Sequence, residues 1–179
     1  MRTVNTNIYQ FNELNEQAQE RALEYFIEYC DIDLLDNEIY KELLRENGFL
    51  DAKIEYSGFG SQGDGASFTA DIDMNKFLVG KYAALKDTDF ELKITFSHSR
   101  YCHERTKEVV GCFYHGTEAE GLLIDELVDE VEELRLELCR EIYRMLEQEY
   151  DYRTSKEYFA EYAENNEYEF LENGDTYYN

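Results

Sequence analysis

Residues 118–150 carry the longest periodic pattern in the chain, and this pattern constrains the fold more than any other feature. Apolar side chains recur there at spacings of three and four residues, at Leu123, Leu127, Val131, Leu134, Leu138, Ile142, Met145 and Leu146. Such spacing places all of them on one face of an α-helix, which at 1.5 Å per residue is about 50 Å long. We predict one long helix that buries this stripe against the rest of the protein.

Two more helices are predicted in the first 50 residues. Residues 13–30 repeat apolar positions at helical spacing, with Asn12 as the N-cap. The predicted apolar face consists of Leu14, Ala18, Ala22, Tyr25, Phe26 and Tyr29. Residues 35–44 repeat the pattern, and Gly48 supplies the left-handed residue that ends many helices. Residues 1–50 are therefore predicted to form a helix pair, with a short strand over residues 3–9 before it.

Residues 51–116 have the period of two that is typical of strands. Alternation over residues 52–56 and 68–72, on either side of a glycine-rich stretch, predicts a hairpin. Residues 109–114 are predicted to pair either with residues 90–96 or with residues 98–103. The resulting fold class is α+β: an antiparallel sheet with helices packed on one face, including one long acidic C-terminal helix.

We expect one domain over residues 1–179, because no linker rich in Gly, Ser or Pro and no internal repeat divides it. The 16 Tyr and 11 Phe, with no Pro, exclude a disordered acidic tail. Residues 117–179 are predicted to form an acidic helical layer. It contains a second helix over residues 155–165 and ends in a hairpin around Asn173-Gly174 that includes Tyr178.

Charge is the feature that most constrains the choice of partner. The chain has 17 Lys and Arg against 41 Asp and Glu, a net charge of −24. Residues 117–179 hold 20 acids and 5 bases, a net of −15, whereas residues 1–116 hold 21 and 12, a net of −9. A surface of this sign repels phosphates and attracts proteins that bind them. We therefore expect no direct nucleic-acid ligand, and as partner a host protein with a basic nucleic-acid-binding surface.

The acids of the long helix are spaced like those of a polyanion. Asp125, Asp129, Glu133 and Glu137 form a row at every fourth residue, about 6 Å apart along the axis and opposite the apolar stripe. A DNA strand carries one phosphate per roughly 3.4 Å. The predicted partner-binding residues are Asp125, Asp129, Glu132, Glu133, Glu137, Glu157, Glu161 and Glu164. The alternative is a solvated face on which Arg135, Arg140 and Arg144 offset part of the charge.

Catalytic and metal-binding interpretations find less support. The glycine-rich segment 58–65 lacks the lysine of a phosphate-binding loop and leads into a strand, so Gly60, Gly63 and Gly65 are assigned to a turn with positive φ. Five His and Cys residues, whose side chains are common metal ligands, fall within 18 residues: His98, Cys102, His103, Cys112 and His115. Strand alternation places Cys102 and Cys112 on opposite faces of a hairpin, although a register shift of one residue would bring them together to bind zinc. We predict no cofactor, no bound metal and no enzymatic activity.

No apolar run is long enough to span a membrane, and no secretory signal begins the chain, so we expect a cytoplasmic protein. In that compartment the four cysteines are expected to be reduced and mostly buried.

Three stretches carry a resemblance to a known family. They are Phe11-Asn12-Glu13-Leu14 with Ala18 and Ala22, Tyr56-Ser57-Gly58-Phe59 followed by Ser61-Gln62-Gly63-Asp64-Gly65-Ala66, and Tyr168-Glu169-Phe170 with Asn173-Gly174. With them the sequence resembles a family of small phage and prophage proteins, most of them uncharacterised and some described as antitoxin-like. The resemblance implies an origin in a phage or mobile element. Small acidic proteins of that origin often resemble inhibitors that occupy the nucleic-acid channel of a host nuclease.

Charge and resemblance together predict an inhibitor of a host defence complex, an anti-CRISPR or anti-restriction protein that acts by nucleic-acid mimicry. The alternative is an antitoxin-like or structural binding module. Its partner would contact an aromatic surface made of Tyr143, Tyr150, Tyr152, Tyr158, Phe159 and Tyr162.

Overall fold

The computed structural model describes residues 6–30, 32–96 and 102–177. Its helices are α1 (Glu16–Tyr29), α2 (Ile39–Glu46), α3 (Met74–Phe77), α4 (Glu118–Arg153) and α5 (Lys156–Asn165). Its strands are β1 (Phe49–Tyr56), β2 (Ala66–Ile72), β3 (Asp89–Phe96) and β4 (Lys107–His115). Short 3-10 helices cover Phe11–Glu13, Gly80–Leu85 and Glu104–Thr106. The α+β class and the long C-terminal helix are confirmed.

The strands form two antiparallel sheets of two strands each. β1 pairs with β2, and Ile54 lies opposite Phe68. β3 pairs with β4, and Leu92 lies opposite Gly111. The pairing of β4 that the sequence left open is therefore with β3. Residues 98–101 of the alternative partner lie outside the described residues.

The chain forms two compact units. The first comprises residues 1–34 and 148–179, and the second comprises residues 35–147. Most of α4 therefore belongs to the second unit and its last turn to the first. The expectation of a single domain stays a prediction.

Aromatic rings fill the core of the first unit. Phe11, Phe26, Phe159 and Phe170 are each at most 5% exposed. The ring of Phe159 packs edge-on against Phe11 at a centroid distance of 4.9 Å and stacks on Phe26 at 4.7 Å. Each ring removes a large apolar area from water, so this cluster accounts for much of the unit's stability. Backbone bridges join Phe170 to Tyr9 and to Thr176; Tyr178 and residues 1–5, where further strand residues were predicted, lie outside the described residues.

α1 differs from its prediction at its start and on its buried face. Its N-cap is Asn15, whose side chain accepts a hydrogen bond from the Ala18 amide, and not Asn12, which belongs to the preceding 3-10 turn. Tyr25 and Tyr29 were predicted to be buried, yet they are 48% and 64% exposed. Tyr25 lies about 60° around the helix from the centre of the stripe formed by Ala18, Ala22 and Phe26, and Tyr29 is the last residue of α1.

α4 packs against β4 through an apolar face that includes five of the eight predicted stripe residues and Ile124, which was not predicted, whereas Leu123, Leu134 and Met145 are only partly buried. Ile124, Leu127, Val131, Leu138, Ile142 and Leu146 are each at most 3% exposed. Gly111 of β4 permits the close approach, because a Cβ at this position would lie 2.8 Å from Cγ2 of Val128. No helix in the described part of the chain, α4 included, is long and apolar enough to cross a membrane.

A capping box starts α4. Thr117 Oγ1 accepts from the Glu120 amide at 3.3 Å, and Glu120 Oε2 accepts from the Thr117 amide at 2.7 Å. Hydrogen bonds from the backbone and side chain of Thr117, and then from Thr88, lower the pKa of the Glu120 carboxyl. The start of α4 is therefore set locally.

Candidate functional site

The acidic row of α4 faces solvent. Asp125, Asp129, Glu133 and Glu137 are all exposed, and none of them makes an ion pair or side-chain hydrogen bond with another residue that the structure describes. The helical rise spaces them about 6 Å apart, so the row is about 18 Å long. Their charge is therefore available to a partner.

Neighbouring acids widen this row. Glu126 and Glu130 are exposed and lie 3.0 Å from the ammonium nitrogen of Lys81, which pairs with both. Over residues 118–137 the sequence has nine acids and one base, and that base is the buried Arg135. The solvent-facing side of this half of α4 thus carries only negative charge of its own.

Glu132 was predicted to bind the partner together with the acidic row, but its side chain is turned away from that row. Its carboxylate oxygens accept from Nε and Nη2 of Arg135 at 2.7 Å, and Oε2 also accepts from the Val109 amide at 2.9 Å. Its side chain is 25% exposed. Because its hydrogen-bonding capacity is used inside the second unit, we leave Glu132 out of the contact surface.

Arg135 lies in the buried stripe and is 0% exposed, so its predicted role as a solvent-facing base is wrong. It follows Val131 by four residues and precedes Leu138 by three, which places it on the inner face of α4. Its Nη2 also donates to the carbonyl oxygens of Glu104 and Lys107, each at 2.7 Å. Burial alone lowers the pKa of the guanidinium, but the hydrogen bonds and charge of Glu132 outweigh that effect and the pKa is raised.

The other predicted bases and acids lie at the surface. Arg140 and Arg144 are exposed beyond the end of the acidic row, so they do not neutralise it from within. In the first unit, three acids on α5 are exposed and have no ion-pair partner within the described ranges: Glu157, Glu161 and Glu164.

One apolar side chain on the acidic face was not predicted. Leu122 is 62% exposed and lies three and four residues before Asp125 and Glu126. That spacing puts all three on the same side of α4. The sequence signal that would have assigned Leu122 to the outer face is its spacing from Asp125 and Glu126, and not its apolar character.

The six residues of the alternative aromatic surface are mostly packed against other rings. Phe159 is in the core, and Tyr162 lies 5.1 Å from Phe26. Tyr143 stacks on Phe59 at 5.5 Å and donates a hydrogen bond to the Gly58 carbonyl. Of the six, only Tyr152 is more than half exposed. They do not form a broad exposed aromatic surface.

The glycine-rich loop is held by its own contacts. Asp64 Oδ2 accepts from the amides of Gly60 and Ser61 at 3.1 and 2.7 Å, which points the backbone donors at an internal carboxylate. Gly63 has the predicted positive φ of 112°, whereas Gly60 and Gly65 do not. An anion would have to displace Asp64, so the turn interpretation fits this loop better than phosphate binding.

The candidate zinc ligands do not gather around one point. His98 lies outside the described residues. Cys102 Sγ donates to the Glu55 carbonyl at 3.1 Å, whereas Cys112 of β4 lies opposite Glu91 of β3. No group of three or more His, Cys, Asp or Glu able to hold a metal ion occurs in the part of the chain that the structure describes.

The cysteines give no sign of a nucleophile. All four are free, as expected, but only Cys139 is buried, so the expectation that most are buried is wrong. Burial raises the pKa of the Cys139 thiol to about 11. At neutral pH this thiol is protonated and shielded, as structural cysteines are.

Fold and surface together define an α+β protein with a long helix, on whose outer face four exposed acids have no ion-pair partner among the described residues. The chain belongs to the family described as Domain of unknown function (DUF8835), which matches it over residues 19–156. That span contains the whole acidic row of α4. No curated protein and no solved structure matches the chain.

Proposed function

We propose that this protein is an acidic inhibitor, encoded by a phage or other mobile element, of a host defence complex that binds nucleic acid. The target is a CRISPR effector or a restriction enzyme in the cytoplasm of the host cell. The observation that carries the proposal is the exposed row of Asp125, Asp129, Glu133 and Glu137, which has no ion-pair partner within the described residues. The phage origin rests on the resemblance carried by the three stretches within residues 11–22, 56–66 and 168–174.

A row of like charges needs a reason outside the fold. Carboxylates four residues apart on a helix destabilise it by about 0.2–0.5 kcal/mol per pair. Among the described residues of the second unit no base pairs with the row itself, since Lys81 pairs with Glu126 and Glu130 instead. A basic channel in another protein supplies the missing counter-charge and is attracted over a long range.

Inhibition requires only occupancy. Each carboxylate accepts hydrogen bonds from Lys or Arg as a backbone phosphate does, and Arg can bind it through two parallel N–H groups. A row about 18 Å long corresponds to roughly five phosphates of one strand. A target whose channel is filled this way cannot hold its nucleic acid, and no bond in the inhibitor or the target is broken.

The test begins with capture of the target. The full chain is used as bait in host lysate at low salt, and bound proteins are eluted with a salt gradient and identified by mass spectrometry. The captured nuclease complex is then assayed for DNA binding with increasing inhibitor. We expect inhibition to weaken strongly as salt rises, because screening weakens attraction between exposed charges.

A matched pair of variants tests the pattern of charge. The row variant is Asp125→Asn, Asp129→Asn, Glu133→Gln and Glu137→Gln, and we expect it to inhibit at least tenfold less well. The control removes four other exposed acids without described partners: Glu20→Gln, Glu42→Gln, Glu108→Gln and Glu172→Gln. It has the same net charge and should keep most of the inhibition. Equal losses in both variants, or binding that is insensitive to salt in the wild type and survives the row substitutions, would contradict nucleic-acid mimicry.

A further inference from the structure

A groove of about 440 Å³ lies beside α1 within the first unit. One wall is the outer face of α1, and the other is the C-terminal turn at residues 174–176. Arg21 on α1 pairs with Asp175 at 2.7 Å and so fixes the turn to the helix. Gly174, with φ of 89°, lies so close to α1 that a Cβ would overlap the carbonyl oxygen of Ala18. The groove therefore has two walls that are held together by specific contacts.

Two tyrosine rings form the apolar part of this groove. Tyr25 and Tyr29 are one helical turn apart, and their ring centroids lie 4.6 Å from each other at an interplanar angle of 33°. The rings are 48% and 64% exposed, in a unit whose other large aromatic side chains mostly form the core. A paired, exposed aromatic surface on a strongly charged protein is typical of a contact site.

The polar part of the groove is acidic. Glu24 and Glu28 also line it, are exposed, and make no ion pair with any residue in the described ranges. Arg21, the only base among the lining residues that the structure describes, is already paired with Asp175. Counting these four groups, the groove has three carboxylates and one guanidinium, a net charge of −2. A cation is thus favoured over an anion or a neutral group.

We propose that this groove binds an arginine side chain of a partner protein. A guanidinium is flat enough to stack on a tyrosine face, where the ring quadrupole attracts it. Its forked N–H groups match the carboxylate of Glu24 or Glu28 in a bidentate pair. Lysine has a compact charge without a plane, so it can lie over a ring and pair with a carboxylate, but it offers neither the flat stacking nor the bidentate fork of a guanidinium. The inference goes beyond the proposed function, since this groove belongs to the first unit and the row of α4 to the second.

The test uses small probes with the full-length protein. N-acetyl-arginine methylamide is titrated in, and the ring resonances of Tyr25 and Tyr29 are followed by NMR. N-acetyl-citrulline methylamide has the same shape without the charge, and N-acetyl-lysine methylamide has the charge without the plane. We expect saturable shifts of both tyrosines with the arginine probe, none with citrulline, and binding at least threefold weaker with lysine. Equal binding of citrulline or of lysine would overturn the assignment to arginine.

Variants separate ring stacking from charge. Tyr25→Leu with Tyr29→Leu keeps the net charge, and we expect it to weaken arginine binding about threefold or more. Glu24→Gln with Glu28→Gln keeps the rings and should also weaken binding. Tyr152→Leu removes an exposed ring that does not line this groove and should leave the affinity unchanged. Wild-type affinity in the double tyrosine variant would mean attraction by net charge alone and would refute the site.

Circular dichroism shows whether each variant is folded. If the double tyrosine variant unfolds, the glutamate variant and the citrulline probe decide the question, because neither alters packing. The row variant of α4 should bind the arginine probe as the wild type does. Failure of nuclease inhibition would therefore leave this result intact, and failure of arginine binding would leave the proposed function intact.

Discussion

Arg135 binds Glu132 and so separates it from the acids of α4 that are available to a partner. Its guanidinium donates two hydrogen bonds to Glu132. It also donates to the backbone carbonyl oxygens of Glu104 and Lys107. Glu132 is thereby held inward, while the next residue, Glu133, lies in the exposed row. This ion pair, whose guanidinium is buried, therefore keeps Glu132 out of the exposed row.

We expect Arg135→Met to destabilise the protein by about 3–5 kcal/mol, because it leaves the Glu132 charge without its counter-ion. Urea unfolding followed by circular dichroism measures the change. Arg140→Met is the control: that side chain is 51% exposed, so its loss should change the unfolding free energy by less than about 0.5 kcal/mol.

A second variant tests whether the pair itself causes the loss. Combining Arg135→Met with Glu132→Met removes both charges, and buried pairs replaced by apolar residues often lose little stability. We expect the double variant to be more stable than Arg135→Met. An equal or larger loss would show that packing, and not the uncompensated charge, dominates.

Among the glycines, Gly174 of the C-terminal turn leaves the least room for a side chain, because the backbone of α1 lies against it. Gly174→Ala requires an L-residue at φ of 89° and a Cβ where the Ala18 carbonyl lies. Left-handed backbone costs about 1–2 kcal/mol and overpacking about 1–3 kcal/mol, so we expect a loss of at least about 2 kcal/mol. Thermal unfolding measures it.

Gly60→Ala is the matched control for that prediction. No heavy atom lies within 4 Å of a Cβ at position 60, and its φ is not in the left-handed region. We expect its melting temperature to stay within about a degree of the wild type. If Gly174→Ala behaved the same way, the close approach of the turn to α1 would be wrong, and with it one wall of the groove.

At the scale of the whole molecule, the acidic row should reduce stability. Its four members form three pairs of like charge at every fourth residue, each worth about 0.2–0.5 kcal/mol. We therefore expect the row variant with Asp125→Asn, Asp129→Asn, Glu133→Gln and Glu137→Gln to be about 1 kcal/mol more stable than the wild type at low salt.

Salt gives an independent readout of this cost. Raising sodium chloride from 0.05 to 0.5 M shortens the Debye length to a few ångströms and should stabilise the wild type more than the row variant. Urea unfolding at both salt concentrations measures the difference. A row variant less stable than the wild type would mean that these carboxylates support the fold, which removes the main physical reason for a partner.

Several helices and strands could be predicted from local patterns in the sequence. The long helix was predicted over residues 118–150 and spans Glu118–Arg153; α5 was predicted over residues 155–165 and spans Lys156–Asn165. The hairpin of β1 and β2 was also predicted. These succeeded because apolar periodicity and caps act between residues a few positions apart.

Only the tertiary structure decided which polar groups turn inward and which rings stay outside. Arg135 and Glu132 face the core because their partners come from residues 104–109, and the groove beside Tyr25 and Tyr29 exists because residues 174–176 return to α1. Periodicity gives the direction of a side chain around its own helix. Whether that direction meets water or another element depends on contacts between residues far apart in the chain.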